Sequence, residues 1–269
     1  MEAYTSFAQV YDMFMDNVPY DSWCEYLKAQ LGKYGITTGT LLELGCGTGK
    51  MTRRMAQAGY EMIGLDNSME MLEIAMERET EVDMLEEETD CEAAAMDLKR
   101  QTLYLLQDMR EFELYGTVNA VISVCDCLNY ILDEDGLFQV FERVSRYLEP
   151  QGVFVFDMNT LYKYEELLAE NTFAENRNTG SFIWENYYDP RDKINEYDLT
   201  LFIAEQDGRF LRFKEQHYQR GYSLDTIKAL LGKAGLEFLA AYDGYTESPL
   251  TKESERMTVI AGKMNVTDK

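Results

Sequence analysis

The segment that most constrains this chain is residues 41–49, LLELGCGTG, in which an apolar run leads directly into three glycines at alternate positions. The apolar run predicts a buried strand, and the residues after Gly49 have the pattern of a helix. Gly45, Gly47 and Gly49 predict a tight turn between them, because residues without a Cβ reach unusual backbone angles and let a ligand touch the main chain.

A second strand with an acidic end is predicted directly after that helix. Residues 61–66 read EMIGLD, and Asp66 stands 17 residues after Gly49. In open α/β sheets, a glycine turn after one strand and an acid at the tip of the next form half of a nucleoside-binding site, in which the acid accepts the ribose hydroxyls. The two features together therefore indicate such a site more strongly than the glycines alone.

The glycine spacing disfavours a dinucleotide. Rossmann dehydrogenases have the pattern G-x-G-x-x-G, and Lys50 stands where that pattern has its last glycine. Glu43, two residues before Gly45, is also unusual for a dinucleotide site, because its carboxylate can anchor the loop or accept a hydrogen bond from a ligand amine. An NAD-linked oxidoreductase is therefore the less favoured of the possible enzymes.

Hydrophobic patterning predicts an α/β fold with a parallel sheet, preceded by helices at 4–15 and 20–34. The alternating part has predicted strands at 40–45, 61–65, 102–107, 118–124 and 152–157, and helices at 49–58, 69–78 and 135–148. The acid-rich stretch 77–100 is expected to be a solvated loop or a frayed helix. The later part of the chain predicts an antiparallel meander of three strands at 181–188, 196–203 and 209–219. A helix at 223–231 and two final strands at 236–242 and 256–262 are predicted after it.

Composition excludes several classes of protein. The formal charge of −24 disfavours a long nucleic-acid partner or an anionic membrane. No apolar run is long enough to span a bilayer, and the first residues do not have the pattern of a secretory signal. Five cysteines without framework spacing and a single histidine predict reduced thiols in a cytoplasmic protein with no metal site.

The segment LELGCGTG resembles the first motif of the class I S-adenosylmethionine-dependent methyltransferases, E/D-x-G-x-G-x-G. Residues 66–72 fit the second motif, D-x-S-x-x-M-L, and residues 7–12 and 19–23 resemble the opening of a bacterial branch that acts on small molecules. The resemblance implies a Rossmann-like seven-stranded sheet with helices on both faces and a small antiparallel insertion. It also implies an N-terminal helical cap over the cofactor at 1–38 and a methyltransferase core formed by 39–160 together with 221–265. Between the two parts of the core, residues 161–220 would form a substrate-side helix and antiparallel insertion.

The resemblance also implies S-adenosylmethionine as the methyl donor and a set of residues around it. Tyr11 and Tyr20 would close the pocket, where an aromatic ring suits a sulfonium cation. Met69 would pack against the adenine, or else belong to the core. Asp108 would accept the adenine amino proton, or else cap a turn. The implied cofactor-binding residues are Tyr11, Tyr20, Glu43, Gly45, Cys46, Gly47, Gly49, Asp66, Asn67, Met69, Asp108, Met109 and Val124.

Acceptor-side residues are predicted with open alternatives. Asp126, at the tip of the fourth strand, either orients a substrate amine or hydroxyl or caps the loop. His217 is either a base or a structural hydrogen-bonding group. Arg220 either pairs with a substrate carboxylate or forms a salt bridge. Tyr130 and Trp184 are the further candidates for substrate contact.

The predicted function is transfer of a methyl group to an amine or hydroxyl of a small molecule by a cytoplasmic monomer or homodimer. The N/D-P-P-Y/F motif of DNA amine methyltransferases is absent from the tip of the fourth strand, so base methylation is not supported. The main alternative is a non-catalytic S-adenosylmethionine-binding protein.

Overall fold

The computed structural model describes residues 18–87, 102–205 and 207–263, and for residues 80–87 it describes the backbone only. The predicted helix at 4–15, and Tyr11 within it, lie outside the described residues. The described helices and strands run in the order α1 (Tyr20–Lys33), β1 (Thr40–Leu44), α2 (Lys50–Gln57), β2 (Glu61–Asp66), α3 (Met69–Glu87), β3 (Leu103–Leu106), β4 (Val118–Ser123), α4 (Glu134–Tyr147), β5 (Leu148–Asn159), β6 (Thr172–Asn176), β7 (Gly180–Asp189), β8 (Ile194–Ala204), β9 (Phe210–Arg220), α5 (Leu224–Lys233), β10 (Leu236–Asp243) and β11 (Arg256–Lys263). A 3₁₀-helix follows β4 at Cys127–Tyr130, and a π-helix follows β5 at Lys163–Leu168.

The larger sheet has seven strands in the order β10-β11-β5-β4-β1-β2-β3. Its strands β3, β2, β1, β4 and β5 are parallel, whereas β11 runs antiparallel to both β5 and β10. The carboxyl ends of β1 and β4 therefore meet at one edge, where ligands gather in open α/β sheets. The seven-stranded sheet expected from the sequence is confirmed.

Helices cover both faces of this sheet. On one face, α4 buries Leu137, Val140, Phe141 and Val144, which recur at helical spacing, and α5 joins the same apolar cluster. On the other face, Leu27 and Leu31 of α1 pack with Met51 and Met55 of α2. These two apolar layers hold the strand ends that form the edge described below.

A second, antiparallel sheet has four strands in the order β6-β7-β8-β9. The sequence predicted three of them and missed β6, a short edge strand of sequence TFAEN that is mostly exposed. Alanine, glutamate and asparagine have low strand propensity, so the sequence of β6 does not indicate a strand. The strand is recognised from its pairing with β7.

Helix α3 continues past the predicted end at residue 78 to Glu87. The additional residues include Glu, Met and Leu, which have high helix propensity and extend the helix into the acid-rich stretch. Residues 88–100 of that stretch lie outside the described chain. In the part of the chain described here, no helix is both long enough and apolar enough to cross a membrane.

Candidate active site

The glycine loop between β1 and α2 combines close packing with an open main chain. Gly45, Gly47 and Gly49 have φ values of 70°, 52° and 72°, all in the left-handed region. A Cβ on Gly45 would lie 2.7 Å from the Cys127 Sγ, whereas a Cβ on Gly47 would meet no atom of the described chain within 4 Å. Gly45 is therefore required by its neighbours, and Gly47 leaves backbone accessible to a ligand.

Asp66, at the end of β2, is fixed against this loop. Its Oδ2 accepts the Gly47 N–H at 2.8 Å, and its Oδ1 accepts the Ser68 N–H at 2.9 Å. Burial raises the pKa of Asp66, and these backbone N–H groups oppose that rise. The Asn67 N–H also acts on this carboxylate, and since an ionised carboxylate has about four acceptor positions, it retains capacity for a ligand hydroxyl.

Glu43 lies on β1 beneath the same loop and is only 1% exposed. Its Oε2 accepts a hydrogen bond from the Thr52 hydroxyl on α2. Burial raises the pKa of Glu43 to about 8. The carboxyl group therefore joins strand and helix across the loop and is held in an environment that favours its neutral form.

A cleft lies above the glycine loop, between the carboxyl ends of β1 and β4. Six predicted residues line it: Tyr20, Glu43, Gly45, Cys46, Gly47 and Val124. Five further lining residues were not predicted as cofactor-binding: Thr48, Lys50, Met51, Cys125 and Cys127. The resemblance placed the residues just before Asp126 along the methionine portion of the cofactor, which fits Cys125, but neither cysteine was named as a cofactor-binding residue.

Tyr20 forms one wall of the cleft. Its hydroxyl lies 3.6 Å from the Cys125 Sγ, and the Lys50 Nζ lies 5.3 Å from the centre of its ring. Tyr20 is only 7% exposed, so its ring is packed within the protein, and its contact with the cofactor stays a prediction.

The predicted adenine side lies at the ends of β2 and β3. Both carboxylate oxygens of Asp108 contact the Arg110 guanidinium, with Nη2 at 2.5 Å from Oδ2, and this pairing lowers the pKa of Asp108. The Met109 Cε lies 3.6 Å from the position of a Cβ on Gly45, which places Met109 beside the loop. Asn67 and Met69 are both exposed at the start of α3. The adenine contacts of Asp108 and Met69 stay predictions.

The tip of β4 is strained and tightly clamped. Cys125 and Asp126 both have left-handed φ values, 61° and 53°. The Asp126 carboxylate accepts hydrogen bonds from the Arg256 Nη2 and the Gln219 Nε2, each at 2.7 Å. Arg256 also pairs with the buried Asp157. This geometry favours a positioning role for Asp126, and its contact with an acceptor stays a prediction.

His217 lies in a buried polar cluster. Its Nε2 lies 3.1 Å from the Glu215 Oε2, and its Nδ1 lies 3.4 Å from the Tyr130 hydroxyl. The Tyr130 and Tyr197 hydroxyls are 2.6 Å apart, and the Tyr197 ring stacks on the imidazole at 4.7 Å. The structure therefore brings together the predicted His217 and Tyr130. It adds Glu215 and Tyr197, which the sequence did not single out.

Trp184 and Arg220 occupy different positions from each other. The Trp184 ring lies 5.4 Å from the Tyr197 ring on the same sheet face, and its Nε1 has no hydrogen-bond partner among the described residues. The Arg220 Nη1 donates to the Leu132 carbonyl at 3.0 Å, and its Nη2 lies 3.6 Å from Glu134. Arg220 thus forms a salt bridge at the start of α4, which is the second of its two predicted alternatives. Trp184 stays a candidate for acceptor contact.

Known proteins resemble this chain along nearly all of its length. The family described as "Methyltransferase domain" matches residues 16–241. YqeM of Bacillus subtilis, a relative proposed to be a methyltransferase, is 30% identical over 261 residues, which cover 97% of each chain.

Solved structures of this fold resemble the chain as well. An S-adenosylmethionine-dependent methyltransferase from Clostridium acetobutylicum is 26% identical, with a TM-score of 0.83 over 98% of this chain and 100% of that one. KedS8, a sugar N-methyltransferase from Streptoalloteichus sp., is 16% identical, with a TM-score of 0.72 over 95% and 93% of the two chains. The second likeness concerns the fold alone. The resemblance inferred from residues 41–72 is confirmed by these matches.

Proposed function

This chain belongs to the methyltransferase-domain family, and we propose that it transfers the methyl group of S-adenosylmethionine to an amine or hydroxyl of a small-molecule acceptor. The observation that carries the proposal is the bond between the Asp66 carboxylate and the Gly47 N–H at the rim of the cleft. That bond fixes an acid and an exposed stretch of main chain at one strand edge, where a nucleoside can meet both.

The residues at the cleft fit a sulfonium nucleoside. Gly47 has open space where a Cβ would stand, so a ligand can rest against its backbone. Asp66 would hold the ribose hydroxyls, and Tyr20 would cover the sulfonium end, where an aromatic face attracts a cation. Glu43 would hold the loop, and a carboxyl oxygen of Glu43 would accept a hydrogen bond from the ammonium group of the methionine portion.

When bound, S-adenosylmethionine supplies a methyl group on a positively charged sulfur, which leaves without needing a proton. The chain's own residues then have two tasks: to align the acceptor with the cleft and to exclude water. The strained tip at Cys125 and Asp126 fixes the wall between the cleft and the His217 cluster. His217 would accept the proton that the acceptor releases.

The charge distribution supports a small acceptor without a phosphate backbone. The formal charge of −24 repels long nucleic acids. Arg220 and Arg256, which could attract an anion, are held by carbonyl and carboxylate oxygens. The fold is compatible with an amine acceptor, because KedS8 shares it.

Isothermal titration calorimetry tests the binding step. We expect saturable binding of S-adenosylmethionine and S-adenosylhomocysteine to the wild-type protein, and no binding of NADH, which serves as the control nucleotide. Absence of binding for both sulfur nucleosides would contradict the proposal.

Turnover is tested separately with S-adenosylmethionine labelled in its methyl group. The protein is incubated with a bacterial metabolite extract fractionated into amines, alcohols and acids. We expect label in a product from the amine or alcohol fractions, and much less label with the D66A protein at the same concentration of S-adenosylmethionine. Binding without any labelled product would favour the non-catalytic alternative.

A further inference from the structure

We propose that Glu43 releases a proton to solvent when a ligand with an ammonium group binds in the cleft, so that the cleft selects such ligands by exchanging one positive charge for another. This exchange rests on the proposed function and deepens it, because it assigns the state in which the carboxyl group meets the methionine portion of S-adenosylmethionine. It also makes ligand affinity depend on pH.

Glu43 is an enclosed carboxyl group that a ligand in the cleft can still reach. It is 1% exposed and is one of the residues that line the cleft. The Thr52 hydroxyl donates to its Oε2, and the N–H of the same residue acts on the carboxyl group as well. An ionised carboxylate has about four acceptor positions, so Glu43 keeps capacity for a donor that enters from the cleft.

The surroundings of Glu43 favour its neutral form. Within the described part of the chain, the charged group that acts on it is another acid, Asp66 at the end of β2, and no lysine or arginine pairs with it there. A buried carboxylate without a cation is costly. Burial raises the pKa of Glu43 to about 8, the two Thr52 groups oppose this rise, and Asp66 adds to it. At pH 6.5 the ligand-free protein therefore holds a proton on Glu43.

The other titratable groups around Glu43 hold their protons more firmly. Four of them interact electrostatically with it: Cys46, Tyr104, Cys125 and Cys127. Burial raises the pKa of the Cys125 thiol to about 12, and it raises the pKa values of the other three groups well above their ordinary values. Glu43 is therefore the first group of this set to lose its proton when a cation arrives.

Two charged groups lie around the same space. Lys50 lines the cleft from α2, and its Nζ lies 5.3 Å from the centre of the Tyr20 ring. Asp66 is held by the Gly47 N–H and, on the proposed function, meets the ribose. A nucleoside without an amino-acid portion would still meet Asp66 but would bring no ammonium group to Glu43. Two such ligands therefore separate the two acids.

A bound ammonium group supplies the cation that Glu43 lacks. An opposite charge within about 4–6 Å favours the ionised form of a carboxyl group. The O–H bond of Glu43 therefore breaks on binding, the proton passes to water, and the carboxylate pairs with the ammonium group. Because the complex holds one proton fewer than the separate partners, binding is weakest at low pH and strengthens as the pH rises toward 8. One released proton corresponds to an affinity about ten times higher for each pH unit.

Isothermal titration calorimetry on the full chain at pH 6.5 counts the released protons. Three ligands share the adenosine group: S-adenosylmethionine, S-adenosylhomocysteine and 5′-deoxy-5′-methylthioadenosine, of which the last has no ammonium group. The binding enthalpy is measured in phosphate and in imidazole buffer, because its dependence on the buffer's enthalpy of ionisation gives the number of protons. We expect release of about one proton with the first two ligands and none with the third. Equal proton counts for S-adenosylhomocysteine and 5′-deoxy-5′-methylthioadenosine would overturn the proposal.

Two variants identify the group that releases the proton. From pH 6 to pH 7 the affinity of the wild type for S-adenosylhomocysteine should rise about tenfold. E43Q should release no proton and should have nearly the same affinity at both pH values. Glu61 of β2 is the matched control, because it also accepts a threonine hydroxyl, from Thr40 at 2.8 Å, but is exposed. E61Q should therefore behave like the wild type, and a tenfold rise that persists in E43Q would refute the role of Glu43.

Infrared difference spectroscopy reports the same proton through its bond. Addition of S-adenosylhomocysteine at pH 6.5 should remove the C=O band of a protonated carboxyl group from the wild type, whereas a purely structural carboxyl group would keep its state. The loss of this band should be absent in E43Q and present in E61Q. If E43Q fails to fold, the wild-type spectrum and the comparison of ligands with and without an ammonium group decide the question.

These measurements also separate the proton exchange from the proposed function. A wild-type protein that binds S-adenosylmethionine or S-adenosylhomocysteine without releasing a proton refutes the exchange alone. One that binds neither sulfur nucleoside refutes the proposed function and the exchange with it.

Discussion

The cofactor cleft and the acceptor-side cluster differ in how their contacts are distributed along the chain. Across the cleft, Glu43 binds a residue nine positions away and Gly47 binds one 19 positions away. In the cluster, Tyr130 contacts residues 67 and 87 positions away, and Asp126 contacts one 93 positions away. The glycine loop at the floor of the cleft is thus held within one strand–helix–strand unit, whereas the cluster forms only after two sheets have come together.

The two regions also use different parts of the residues. The cleft presents backbone N–H groups and needs specific residue types mainly because glycine alone fits at positions such as 45. The cluster presents side chains whose function depends on their neighbours, as with His217 between Glu215 and Tyr130. A main-chain site is therefore encoded locally, whereas a side-chain site depends on tertiary packing.

Arg256 is the strongest test of whether the two regions are independent. It lies on β11 and pairs with Asp126 at the β4 tip and with Asp157, whose side chain is 0% exposed. R256M leaves both acids without this cation, and removal of one partner from a buried pair costs about 3–5 kcal/mol. We expect a loss of about 4 kcal/mol in the free energy of unfolding, measured by urea titration.

Two controls accompany this prediction. R256K keeps the charge but cannot reach both acids with a rigid fork, so it should recover only part of the stability. R191M makes the same change at an ion pair whose arginine side chain is 86% exposed, and it should leave stability unchanged. Equal effects of R256M and R191M would show that the β4 tip does not depend on this clamp.

Asp66 gives the largest expected effect on binding that is confined to the cleft. D66A removes the acceptor for the Gly47 N–H and, on the proposed function, the carboxylate that would accept the ribose hydroxyls, each a charge-assisted hydrogen bond. We expect the affinity for S-adenosylmethionine to fall about a hundredfold, equivalent to about 2.7 kcal/mol. Calorimetry measures this affinity. The ring ¹⁵N resonances of His217, measured by NMR, should not move.

D108N is the matched comparison for D66A. The Asp108 carboxylate is already held by Arg110, so its removal should weaken binding less than D66A does. A larger loss with D108N would place the main nucleoside contact at the end of β3 instead of β2.

The sequence predicted the glycine loop at the floor of the cleft because the signals of this loop are local. The glycine spacing, the acid at residue 66 and Glu43 all follow from one stretch of about 25 residues. Cys127 was missed, although its Sγ is the atom that makes Gly45 obligatory, because that contact joins residues 82 positions apart. The core strands and helices followed from periodicity, while the edge strand β6 depends on its pairing with β7.

The acceptor side was predicted only in part for the same physical reason. His217 stood out as a single histidine, Trp184 as an aromatic residue within a predicted meander strand, and Tyr130 as an aromatic residue that follows the fourth strand. Glu215 was one acid among 49 acidic residues, and nothing in its own segment showed that it would be buried against the imidazole. Only the β8–β9 register places Tyr197 beside His217.

Gly45 and Gly47 allow packing and ligand contact to be separated within one loop. Both have left-handed φ, so an alanine at either costs about 1 kcal/mol. G45A adds a clash with the Cys127 Sγ at 2.7 Å, an overpacking cost of about 2 kcal/mol. We expect G45A to lower the free energy of unfolding by about 2 kcal/mol more than G47A, as measured by urea titration.

The ligand readout should show the opposite order. G47A projects its methyl group into the open space above the loop and should weaken S-adenosylmethionine binding more than its small stability loss explains. Adding C127A to G45A removes the Sγ but leaves the Cβ at 2.9 Å, so only part of the stability should return. If G45A and G47A behave alike in both assays, the distinction between packed and open glycines is wrong.

Glu43 gives the cleft a dependence on pH. Its pKa in the folded protein is about 8, raised by burial from an ordinary value of 4.5. Between these values the folded protein keeps a proton that the unfolded chain has lost, so this group's contribution to stability is present below pH 4.5 and is lost as the pH rises toward 8. From pH 6 to pH 7 the free energy of unfolding of the wild type should fall by about 1.4 kcal/mol relative to E43Q, because one proton is involved. Urea titrations of both proteins at the two pH values give this difference directly.

An equal change in the free energy of unfolding of the two proteins between pH 6 and pH 7 would mean that Glu43 is ionised in the folded state. Its bond from Thr52 would then be charge-assisted, and the carboxylate itself would supply a negative charge beneath the glycine loop before any ligand arrives.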